Sequence, residues 1–173
     1  MQLDSYKKEF SNYFNSESVV QDMQKSIDLI RSNTRGIFFI GNGGSNSICS
    51  HMMEDFMKFA KYPTYSFSDA ALITCYANDY GYENAMREWL RAYFTDKDLL
   101  VAVSSSGESA NILNAAKYAR EKGGRVITLS GFKPGNSLKQ LGDINFHIAA
   151  NSYGIVECYH QVILHVILDS LND

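Results

Sequence analysis

Residues 36–45 read Gly-Ile-Phe-Phe-Ile-Gly-Asn-Gly-Gly-Ser, an unbroken apolar run from Ile37 to Ile40 that passes directly into a small polar loop, Gly41 to Ser45. A run this short, without polar alternation, reads as a strand buried on both faces, the mark of a parallel sheet covered by helices. From about Asn46 to Lys61 the spacing becomes helical, with Ile48, Met52, Met53 and Phe56 turned inward. The same succession returns at Leu99–Ser104 (LLVAVS), which runs into the loop Ser104–Ser109 (SSSGES) and the helix ANILNAAKYAREKGG, with Gly123 and Gly124 as natural C-caps.

Outward from these two units the pattern repeats. TYSF around Tyr65, RVITLS and INFHIA are further strands, and FKPGNS, with Pro134 and Gly135, is a turn. DAALITCYAND, YENAMREWLRAYF and the closing stretch from about Tyr153 to Leu171 are helices. Residues 1–34 form an N-terminal helix pair, the second opened by a capping box from Ser18 to Gln21. The expectation is an α/β fold, a three-layer αβα sandwich over 36–173, in one domain of 173 residues.

Sixteen basic and 19 acidic residues leave a net charge of −3, which gives no electrostatic footprint for nucleic acid or an anionic membrane surface. No run of 18 apolar residues or signal-peptide pattern occurs. Cys49, Cys75 and Cys158 form no CxxC and no disulfide framework. Their apolar helical surroundings read as core thiols, and a cytoplasmic location is expected.

In open α/β sheets, ligands bind beyond the carboxyl ends of the strands. The loops Gly41–Ser45 and Ser104–Ser109 occupy two such ends. Glycines allow close backbone approach, helix N-termini favour anions, and serine hydroxyls add uncharged donors, so together the loops could hold one phosphate monoester. Read alone, GNGGS serves equally well as a capped strand-to-helix turn. It is not GxGxxG, and no GxxxxGK[ST] occurs, so neither a dinucleotide site nor a P-loop is supported.

His51 and Asp55 stand at i, i+4 on the helix after GNGGS, and Glu157, Gln161 and His165 stand at i, i+4, i+8 on the last helix, with His160 near Glu157. Two imidazoles and two carboxylates could bind a divalent metal such as zinc. By spacing alone, these pairs fit surface ion pairs at least as well. His147 reads as structural, and Asp79 as a cap or turn residue.

The segments FFIGNGGSNSICSHMMEDF, YANDYGYENA, VAVSSSGESANIL and IVECYHQVILHVILD, in this order, resemble the sugar isomerase (SIS) domain family and, within it, the phosphoheptose isomerase branch. The resemblance implies a five-stranded parallel αβα sandwich assembled as a homotetramer with sites between subunits. It implies phosphate binding by Ser45, Ser104, Ser106 and Ser109, with Asn42, Gly43, Gly44 and Ser105 in the same loops and Asp79 contacting substrate. It implies metal or proton-transfer roles for His51, Asp55, Glu157 and His165, with Asp55 as base, His165 as acid, and one zinc ion per subunit. The implied reaction is aldose–ketose isomerisation of sedoheptulose 7-phosphate, serving lipopolysaccharide or capsule synthesis. A sugar-phosphate-binding regulator, or a tetramer that binds a replication initiator, is the alternative.

The chain departs from that branch at four places. Asp55 replaces Glu, Glu157 replaces Gln, Phe59 replaces Arg with Lys58 beside it, and Glu108 replaces Asn, which would set a negative charge beside the phosphate.

Overall fold

The computed structural model describes residues 2–172. Among them the chain order is α1 (Gln2–Phe14), α2 (Glu17–Asn33), β1 (Ile37–Ile40), α3 (Gly44–Lys58), β2 (Thr64–Ser66), α4 (Ala70–Tyr80) and α5 (Tyr82–Tyr93). There follow β3 (Leu99–Ser104), α6 (Ala110–Glu121), β4 (Arg125–Gly131), a 3-10 turn (Leu138–Leu141), β5 (Ile144–Ile148) and α7 (Tyr153–Asn172). The five strands pair in parallel in the order β2-β1-β3-β4-β5. The expected α/β sandwich with a five-stranded parallel sheet is the fold observed.

The lack of alternation in β1 and β3 has its expected cause. Ile37, Phe39, Leu99, Val101 and Val103 face one core with Met23, Ile27, Met52, Phe56, Ile163 and Ile167 of α2, α3 and α7. Phe38, Ile40, Leu100 and Ala102 face a second core with Met86, Trp89, Ile112 and Ala116 of α5 and α6. Both faces of the sheet are therefore dry. Helix α1 packs on the first core through aromatic rings, with Phe10 stacked on Tyr159 at 4.2 Å between centroids.

Local chemistry sets the helix ends. The N–H of Gly123, at φ +82°, donates to the Arg120 carbonyl (2.9 Å), and that of Gly124 to the Ala119 carbonyl (3.0 Å), which closes α6 in a Schellman motif. Helix α2 opens at Glu17 behind Ser16, so the expected capping box lies inside the first turn; the Ser18 hydroxyl meets the Ser16 hydroxyl instead (2.9 Å). Helix α3 starts at Gly44, two residues before its expected start, because the glycine loop itself supplies the first turn.

The cysteine expectation needs correction. Cys49 is buried, but Cys75 and Cys158 are exposed. Apolar neighbours in sequence do not bury a helical residue whose own angular position faces outward.

Candidate active site

Strand β1 lies between β2, which follows it, and β3, which follows β2, so the chain turns to opposite sides of the sheet at the β1–β3 boundary. The crevice of a doubly wound sheet opens at this switch point. Both polar loops emerge there.

The first loop is shaped by its glycines. Gly43 takes φ +55°, and a Cβ on Gly41 would meet the Ser45 backbone at 2.7 Å. Asn42 and Asn111 exchange amide hydrogen bonds of 3.0 and 2.9 Å, and the Tyr82 hydroxyl donates to Asn42 Oδ1 at 2.8 Å. The loop is thereby fastened to α6 and α5.

In the second loop Gly107 takes φ +67° and donates its N–H to the Ser104 carbonyl (3.0 Å). The Glu108 N–H donates to Ser106 Oγ (3.2 Å), and the Ser104 and Ser109 hydroxyls lie 3.3 Å apart. Buried Asn136 braces the turn from behind: its amide donates to Ser130 Oγ (3.1 Å) and the Lys133 carbonyl (3.0 Å), and the Leu138 N–H reaches the Gly107 carbonyl (3.0 Å).

Between the loops is a cavity of about 170 Å³ lined by Asn42, Ser45, Ser104, Ser105, Ser106, Ser109, Tyr153 and Glu157. Its volume is below the roughly 300 Å³ at which pockets for drug-sized ligands begin, and suits a small group such as a phosphate. The Ser105 hydroxyl is buried at the cavity wall and has no hydrogen-bond partner among the described residues.

The charge expected from Glu108 is directed elsewhere. Its carboxylate accepts the Ser137 N–H at 2.9 Å, and hydrogen bonding from Ser137, first by its side chain and then by this N–H, holds its pKa below the usual carboxylate value. The carboxylate that does line the cavity belongs to Glu157.

A second cluster sits farther along α3 and α7. His51 Nε2 lies 3.3 Å from Asp55 Oδ2, and His165 Nδ1 lies 4.0 Å from the same oxygen. Ligand atoms of the three residues all fall within 4.8 Å of one another. A tetrahedral zinc ion with bonds of about 2.0–2.2 Å sets its ligand atoms about 3.3 Å apart, so two imidazoles and a carboxylate placed this way fit such an ion. Glu157 is not one of that group. Its carboxylate lies against Gly44 at the start of α3, where a Cβ would approach Oε1 to 2.5 Å.

The remaining expected residues divide. Asp79 is exposed in the last turn of α4, where it accepts from Asn78 Nδ2 (2.9 Å), and it lines neither the serine cavity nor the His–Asp cluster. Phe59 is exposed at the end of α3 under the Lys58 ammonium, 4.9 Å from its ring centre. His147 Nε2 meets the Lys133 carbonyl (3.1 Å), and burial lowers its pKa, consistent with a structural residue. His160 is fully buried with Nε2 3.2 Å from the Ser130 carbonyl, and burial pushes its pKa down to about 4.

Asn111, Tyr82 and Asn136 were not singled out from sequence. Asn111 did carry a signal, since it is a polar residue on the Ala115, Ala119 side of an otherwise apolar helix face.

Comparison with known proteins places the chain in a family of this fold. The SIS domain family profile matches residues 15–131. A phosphoheptose isomerase of Fusobacterium nucleatum is 33% identical over 180 residues, covering 98% of this chain and 92% of its own length. One of Cytophaga hutchinsonii is 32% identical, covering 96% and 92%. The solved structure of a phosphoheptose isomerase from Francisella tularensis superposes with a TM-score of 0.86 at 22% identity, over 99% of this chain and 94% of that one, which supports the fold.

Proposed function

The chain belongs to the SIS domain family, and we propose that it is a phosphosugar aldose–ketose isomerase acting on sedoheptulose 7-phosphate. The observation that carries this reading is the pairing of a serine-lined, phosphate-sized cavity, to which α3 and α7 contribute Ser45 and Glu157, with a His–Asp–His cluster farther along the same two helices.

In this reading Ser45, Ser104, Ser106 and Ser109, with the backbone of Asn42, Gly43 and Gly44, grip the phosphate. That remote binding fixes the sugar carbons against the catalytic groups. Asp55 takes the proton from C1 of the open-chain ketose, a proton passes from O1 to O2 of the enediolate, and His165 returns a proton to C2, which leaves the aldose. Asp55 is the shorter acid, but its carboxylate is only 14% exposed and lies between the two imidazoles, which suits a held base. His51, Asp55 and His165 would hold a zinc ion, with Glu157 reaching it only by leaving Gly44. When bound, the ion would supply positive charge to the enediolate oxygen.

Several further features belong to the same proposal. Asp79 would contact substrate in a site shared between subunits. Helix α4 carries it without one buried residue of its own, and Tyr80, Tyr82 and Tyr93 are exposed nearby, as expected of a surface covered in a homotetramer. Exposed thiols at Cys75 and Cys158 suit the reducing cytoplasm. The heptose phosphate product would serve cell-surface polysaccharide.

The test is incubation of zinc-loaded protein with sedoheptulose 7-phosphate and related ketose phosphates, following aldose formation by NMR. Turnover of the heptulose phosphate supports the proposal. Folded, zinc-bound protein that converts none of them overturns it.

A further inference from the structure

Gln161 stands on α7 one turn before His165 and has no part in the mechanism above. Its amide nitrogen lies 2.9 Å from His165 Nε2 and 3.0 Å from Met52 Sδ. The other ring nitrogen, Nδ1, is the one that faces Asp55.

These contacts orient the amide. A thioether sulfur can accept a hydrogen bond and cannot donate one. An amide oxygen turned toward Met52 would oppose acceptor to acceptor, whereas NH₂ has one hydrogen for the sulfur and one for the imidazole. His165 Nε2 then accepts, and the single hydrogen of the neutral ring resides on Nδ1.

We propose that Gln161 is a positioning residue that holds His165 in the Nδ1–H tautomer, its hydrogen directed to the Asp55 side. The catalytic meaning of this rests on the isomerase reading; the tautomer itself does not. With Nδ1 protonated and Nε2 accepting from Gln161, the neutral His165 ring offers a hydrogen-bond donor to an oxygen beside Asp55 and has no lone pair there for an ion shared with Asp55 and His51. Turning the amide so that its oxygen accepts from Nε2–H reverses both properties. Gln161 thus selects which of two competing tasks His165 performs.

The experiment is long-range ¹H–¹⁵N correlation of the imidazoles in metal-free protein at mildly alkaline pH, with the His165 signal assigned by its loss in His165→Ala. The expected wild-type signal is Nδ1–H; Nε2–H overturns the proposal. In Gln161→Glu the side chain can only accept, so the tautomer should switch to Nε2–H, and zinc binding by calorimetry should tighten by about tenfold. Gln161→Leu should lose the wild-type preference. An unchanged tautomer in both variants overturns the proposal even if the protein is an active isomerase, and failure of sugar turnover leaves these spectra unaffected.

Discussion

The carboxylate of Glu157 occupies the space a side chain at Gly44 would need, 2.5 Å from where that Cβ would stand. An acid is therefore seated at the first residue of α3, on the wall of a cavity otherwise lined by hydroxyls. A helix N-terminus attracts negative charge, and Glu157 is placed to compete there with an incoming phosphate.

Glu157→Gln should tighten inorganic phosphate or phosphate-ester binding by roughly tenfold, because it removes like-charge repulsion at a partly screened site. Calorimetric titration with phosphate measures this. Weaker binding would mean that the carboxylate organises the cavity and does not oppose its ligand.

His165→Ala should lower turnover by about 10²–10⁴-fold, the usual worth of a positioned acid or base, and leave phosphate-ester binding measurable. Loss of binding as well would assign His165 a structural role.

How far these sites were legible depends on distance along the chain. The strands and both loops could be read because strand and helix periods are local properties, and β1 and β3 are apolar on both faces. His51 and Asp55 were legible because four helical residues rise only about 6 Å. Glu157 and His165 share a face of α7, but the structure sets His165 beside His51 and Asp55 and Glu157 at the serine loops. Eight residues rise about 12 Å, so one stripe of α7 reaches two separate places, and Glu157 stands at the serine cavity. The Asn42–Asn111 pair spans 69 positions in sequence, a contact that only the folded topology creates.

Glu108→Ala should raise KM for the phosphate ester by roughly two- to tenfold with little change in kcat, the range a single net hydrogen bond supports. The carboxylate ties the serine loop to Ser137 and does not face the cavity, so its loss loosens the phosphate grip. Steady-state kinetics separates the two constants. A drop in kcat alone would contradict this bracing role.

Buried His160 makes stability pH-dependent. Its folded pKa of about 4 lies below the ordinary 6.5, so between these values the unfolded chain binds more protons than the native one. The stability is fully present above 6.5 and is lost as pH falls toward about 4, on the order of 3 kcal/mol in total. Guanidinium unfolding across this range should show the slope, and His160→Gln should flatten it. An identical slope in the variant would place the acid sensitivity elsewhere.

β1 and β3 are each paired on both edges and covered on both faces, and both polar loops, Gly41–Ser45 and Ser104–Ser109, grow directly from their ends. Amides in such strands exchange with deuterium only through global opening. The two loops of the proposed site are thus anchored to the last part of the molecule to come apart, so on heating their geometry should persist until the whole chain unfolds.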